Sequence, residues 1–90
     1  MRDIVIDGKD IMTISHLHKL LKEKLGFPDY YGENLDALWD CLTGYIEPTA
    51  LQWLNFQDSF ENLSDEVEEV VVVMREAEKE FGECFRLTLM

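Results

Sequence analysis

Three short apolar runs punctuate the chain: Ile4-Val5-Ile6, Leu51-Gln52-Trp53-Leu54 and Phe85 to Met90. Between them, apolar residues return at helical spacing. The first run ends at Asp7-Gly8, a turn signal, and reads as a strand; the second follows Pro48 and the third follows Gly82, and both read the same way. Leu17, Leu20, Leu21 and Leu25 mark one face of a helix that Ser15 can cap and that Gly26 and Pro28 end.

After a loop from Phe27 to Glu33, Asn34 is a good N-cap for a helix from Leu35 to about Thr43, with Gly44 as its stop. Leu35, Leu38 and Leu42 fall on one side of it, and Asp36, Asp40 and Thr43 on the other. Phe56 to Leu63 is ambiguous, with a short helix as one reading. Ser64 then caps a long helix whose apolar stripe is Val67, Val70, Val71, Met74, Ala77 and Phe81, stopped at Gly82. The four-valine run suggests a strand in isolation, but the wider period and the Glu-rich flanks predict helix. Strands separated by helices imply an α/β class: a three-stranded parallel sheet packed with about four helices, joined by right-handed crossovers in a single domain over residues 1–90.

Charge changes this picture from a frame to a surface. Leu25 to Met74 contains no Lys, Arg or His, yet holds eleven of the nineteen acids. The other eight acids are matched by eight Lys and Arg, so the formal charge of −11 resides in this central stretch. Such a face repels nucleic acid and anionic lipid and attracts a basic protein or a cation. With 47% hydrophobic and 11% aromatic residues the chain is too apolar for a disordered acidic tail. The N-terminus lacks an apolar signal segment and no stretch approaches a membrane span, so the expected location is cytoplasmic. There Cys41 and Cys84, which lack metal-ligand or redox spacing, read as small buried thiols.

Asp36 and Asp40 are like charges at i, i+4 on a helix, an arrangement unfavourable by roughly 0.2–0.5 kcal/mol. Asp40 also stands toward the helix end where the dipole disfavours an anion, and no base is nearby in sequence. An isolated solvated charge is the common fate of such residues. Here Tyr30, Tyr31, Trp39 and Tyr45 crowd around them, and Tyr and Trp are typical anchors of protein interfaces. Trp39 lies between the leucine and aspartate faces.

The run YYGENLDALWDCLTG, Tyr30 to Gly44, closely resembles the corresponding stretch of the barstar family of intracellular ribonuclease inhibitors. The opening strand ending in Asp7-Gly8, Ser15-x-Leu17-His18, Glu47-Pro48, Trp53 and Arg75-Glu76-Ala77 extend the resemblance over essentially all 90 residues. It implies a barstar-like fold and one-to-one blockade of a basic, barnase-like ribonuclease. The implied partner-binding residues are Tyr30, Tyr31, Gly32, Asn34, Asp36, Trp39, Asp40, Thr43, Gly44, Tyr45 and Glu76. By the resemblance, Tyr30 stacks on a catalytic imidazole, Asp36 and Glu76 pair with arginines, and Asp40 takes the place of a substrate phosphate. Two departures stand out. Tyr45 occupies a family tryptophan position, and the loop at Glu47-Pro48 is one residue shorter, which leaves the isomer of that bond open.

The rival readings are an enzyme and an acidic immunity module for another basic toxin. Against the enzyme, Asp36 and Asp40 have no DxDxDG-like loop to complete a cation site, and no Gly-rich phosphate loop occurs. His16 and His18, two apart on a helix, do not face one another. No catalytic residue, cofactor, metal, nucleic-acid or membrane role is expected, and the free protein is expected to be a monomer. The second rival needs the same acidic face and stays open.

Overall fold

The computed structural model describes residues 1–90. The chain runs β1 (Arg2–Asp7), a 3-10 turn (Gly8–Asp10), α1 (Ile14–Leu25), α2 (Leu35–Gly44), β2 (Thr49–Leu54), α3 (Phe56–Leu63), α4 (Asp65–Glu80) and β3 (Phe85–Leu89). The three strands form one parallel sheet in the order β1-β2-β3, with Ile4 opposite Leu51 and Leu51 opposite Leu87. The ambiguous segment is the helix α3.

One face of the sheet is core. Ile6, Thr49, Leu51, Trp53, Phe85 and Leu87 are buried, while the alternating Asp3, Val5, Gln52, Arg86 and Thr88 are exposed. Parallel sheets are usually covered on both faces. Here both crossovers step the same way across the sheet, so crossovers of one hand leave their helices on the same side. Against the buried face lie Leu17, Leu21 and Leu25 of α1, Leu38 and Leu42 of α2, and Val67, Val70, Met74 and Ala77 of α4, all at most 1% exposed.

Polar groups inside this core are satisfied in series. Trp53 Nε1 donates to Ser59 Oγ at 3.0 Å, and Ser59 Oγ donates to the Gly8 carbonyl at 3.2 Å. Gly8 is obligatory for steric reasons, since a Cβ there would collide with the Asn55 carbonyl and Ser59 Oγ.

Helix ends differ in places from the sequence expectation. Thr13, not Ser15, caps α1: its backbone is extended and its Oγ1 accepts the His16 N–H at 3.0 Å, with Ile14 already in the helix and packed on the core. Gly26 ends α1 in the left-handed conformation, as expected. Gly44 is the last residue of α2 rather than a left-handed stop, and the Tyr45 N–H closes the helix on the Cys41 carbonyl. Ser64 precedes α4 at φ 51° but makes no side-chain cap; Asp65, Glu66 and Glu68 in the first turn complement the dipole instead. Val71 is only half-buried and Phe81, beyond the helix end, is exposed, so the α4 stripe is narrower than predicted. The Glu47–Pro48 peptide is trans, like every other in the chain. Both thiols are free, Cys41 buried and Cys84 half-buried.

Candidate functional site: an acidic helix face and its tyrosine loop

The loop before α2 is pinned from below. Phe27 and Tyr31 are buried with ring centroids 4.7 Å apart, and the Tyr31 N–H donates to the Pro28 carbonyl at 3.0 Å. The Tyr31 hydroxyl lies 2.7 Å from Nδ1 of buried His18 on α1. Lys22 adds a bond to the Asp29 carbonyl at 3.2 Å. With its neighbours held this way, Tyr30 is forced outward and is 79% exposed.

Asn34 joins this loop to the helix. Its Oδ1 accepts the Ala37 N–H at 2.8 Å, the cap expected from sequence, and its Nδ2 donates to the Gly32 carbonyl at 3.2 Å. Gly32 leaves room for that amide, because a Cβ would sit 3.0 Å from Nδ2. From this start α2 turns Leu38, Cys41 and Leu42 into the core, packs against α4, and leaves Asp36 and Asp40 exposed.

A cleft of about 500 Å³ opens between the loop and the helix, walled by Tyr30, Gly32, Ala37, Asp40, Gly44 and Tyr45 and floored in part by Tyr31 and Cys41. Burial, with the Asp40 charge as a smaller cause, pushes the Cys41 thiol up and keeps it protonated. The expected residues thus divide. Tyr30, Tyr31, Gly32, Asp40, Gly44 and Tyr45 meet in the cleft; Asn34, Asp36, Trp39, Thr43 and Glu76 lie outside it. Trp39, half-buried, meets Phe81 edge-on at 6.3 Å, and its carbonyl accepts the Thr43 hydroxyl at 2.7 Å. Tyr31 is 7% exposed, so its hydroxyl serves the loop's own support.

The molecule contains three ion pairs, Arg2–Glu47 at 3.9 Å, Lys9–Asp7 at 3.6 Å and Arg75–Glu78 at 2.9 Å. None involves Asp36, Asp40 or Glu76. Glu76 forms no ion pair with Lys79 one turn along α4, and Arg75 reaches Glu78 and the Leu87 carbonyl. Three exposed carboxylates on the packed pair α2 and α4 are left without an internal counter-ion.

The sequence alone assigned no role at the site to Ala37, Cys41 or His18. The first two had a signal, because Ala37, Asp40, Cys41 and Gly44 stand at i, i+3, i+4 and i+7 and so form a stripe of their own. No group of three or more His, Cys, Asp or Glu side chains is placed to hold a metal ion, and no helix is long and apolar enough to cross a membrane.

Fold and surface together define a small α/β module that displays unpaired carboxylates beside an aromatic cleft. The Barstar (barnase inhibitor) family profile matches residues 1–90. A Bacillus subtilis (strain 168) protein described as "Putative ribonuclease inhibitor YrdF" is 48% identical over 90 residues, covering 99% of each chain. The chain belongs to the barstar family, a family of inhibitors rather than enzymes.

Proposed function

We propose that this protein inhibits a secreted, barnase-like ribonuclease in the cytoplasm, binding it one-to-one and closing its cationic active site with α2 and the preceding loop. The observation that carries this reading is the Asp40 carboxylate, exposed and unpaired on the wall of a cleft it shares with the outward ring of Tyr30. A ribonuclease active site must hold a polyanion, so it offers Arg, Lys and His. A carboxylate on a rigid helix can accept charge-assisted hydrogen bonds from these groups where a phosphate otherwise sits. Asp36 and Glu76 supply further acceptors for arginines, and Asn34, Trp39, Thr43, Gly44 and Tyr45 surround them. The concentrated negative field speeds encounter with a basic enzyme, which matters when free enzyme degrades the host's own RNA.

Titration of a barnase-type ribonuclease tests this directly. Activity is expected to fall linearly to zero at one equivalent of inhibitor. Asp40→Ala is expected to weaken binding by about 2–5 kcal/mol, the range for truncating one partner of a buried charge pair, to which the barnase–barstar pair itself contributes. Asp58→Ala on α3 should stay near wild type. Full enzyme activity at equimolar protein rejects the target class and favours another basic toxin as partner; inhibition indifferent to Asp40→Ala rejects the site.

A further inference from the structure

Parallel pairing uses the backbone groups of alternate residues. Thr49 donates to the Cys84 carbonyl and Met90 to the Trp53 carbonyl, both at 2.9 Å. With Leu51 opposite Leu87, the peptide groups of Phe85 and Leu87 therefore point away from β2, toward the open edge of the sheet. An open strand edge is a template for pairing with another chain.

On β3 this edge is occupied by α4. Arg75 Nη1 donates to the Leu87 carbonyl at 2.8 Å, and Glu78 Oε2 accepts the Leu87 N–H at 3.1 Å. The two side chains also bond to each other, Nη1 to Oε1, at 2.9 Å. The Phe85 N–H is taken by the Phe81 carbonyl at 3.0 Å. An ordinary i, i+3 pair runs along its helix, whereas these two side chains both leave theirs to bind one residue of the neighbouring strand.

The two edges of the sheet have different needs. On β1, Arg2 donates to the Pro48 carbonyl, so Asp3, Val5 and Asp7 face outward. Antiparallel pairing of two β1 edges about Val5 sets Asp3 against Asp7, and like charges directly opposite are destabilising. Pairing of two β3 edges about Leu87 sets Arg86 against Thr88 and Phe85 against Leu89, with nothing repulsive in the strand itself. We propose that the Arg75–Glu78 pair is an edge guard: by holding both backbone groups of Leu87 it closes β3 to strand addition by a second copy of this chain.

Sedimentation of Arg75→Ala/Glu78→Ala tests the guard against Lys79→Ala/Glu80→Ala, which removes the same charges from the same helix. The first variant is expected to rise with concentration from the mass of one chain toward two or more, while wild type and the second variant keep the mass of one. At dilutions where this variant is still a single chain, its Leu87 amide should exchange hydrogen at least tenfold faster than in wild type, with central-strand amides unchanged. A single-chain mass for the first variant at every concentration overturns the proposal, as does unchanged Leu87 exchange or equal association of the second variant. Should the double variant fold poorly, Glu78→Ala alone exposes the Leu87 N–H and is judged by the same two measurements.

Discussion

Nδ1 of His18 and the hydroxyl of Tyr31 meet at 2.7 Å inside the protein, and this bond ties α1 to the loop that presents Tyr30. Adjacent tyrosines thereby take opposite roles: one ring is committed to the core so that the next is held in solvent. Burial lowers the pKa of His18 from its ordinary 6.5, against a smaller upward pull from the Glu33 charge. Burial likewise raises the Tyr31 phenol, so both groups are neutral near pH 7.

Stability should therefore depend on pH through His18. Below about 6.5 the unfolded chain takes up a proton at this ring that the folded chain resists. The contribution of the neutral ring is present in full above that value and is lost as the pH falls toward the depressed folded pKa. Glu33, Glu66 and Glu69 line a second cleft together with His18, and the Glu33 charge moderates the effect. Urea midpoints measured between pH 7.5 and 5.0 should fall for wild type and fall less for His18→Gln; parallel curves would remove His18 as the cause.

The Trp53–Ser59–Gly8 series predicts two losses of stability. Ser59→Ala leaves the buried indole N–H without its acceptor, at about 1–3 kcal/mol. Gly8→Ala overpacks a site closed by backbone and is expected to destabilise by about 1–3 kcal/mol. Chemical denaturation measures both. Ribonuclease binding by the folded fraction should be unaffected, since none of these residues borders the α2 cleft.

Capping separates two residues that look equivalent in sequence. Thr13→Ala should cost about 1 kcal/mol, because it removes the acceptor of the His16 N–H. Ser15→Ala, on an exposed first-turn residue with no side-chain hydrogen bond in the structure, should stay within about 0.5 kcal/mol. Equal losses in urea titrations would mean that α1 begins at Ser15 in solution.

These contrasts show where the sequence was readable. The strands, the α2 face and the Asn34 cap rest on signals within a few residues of each other, and their periods were sufficient. Which of Tyr30 and Tyr31 turns inward depends on His18, thirteen positions away, and adjacent identical residues carry no pattern that separates them. Where the Arg75 side chain goes depends on the edge of β3, whose Leu87 carbonyl it binds together with Glu78. Phe81 fits the period of α4 by counting, yet the backbone leaves the helix there at φ −132° and the ring turns to Trp39. The aspartates were legible for the opposite reason: they violate a local rule, and no counter-ion for either appears anywhere in the folded chain.

That violation yields a prediction in which stability and binding move in opposite directions. Asp40→Asn removes one of two like charges at i, i+4 and an anion in the C-terminal half of α2, so the free protein should gain a few tenths of a kcal/mol. The same change takes away the charge that the proposed partner's cations require, so its complex should weaken. The residual association should also lose part of its salt sensitivity, since exposed charges act over roughly 8–10 Å at moderate ionic strength. Asp58→Asn removes an acid elsewhere in the same one-signed stretch and should change association only slightly through the long-range field. Denaturation of the free protein and stopped-flow association at two salt concentrations distinguish the two variants. If Asp40→Asn destabilised the free protein, the carboxylate would have a structural role; if it weakened binding no more than Asp58→Asn, Asp40 would lie outside the interface.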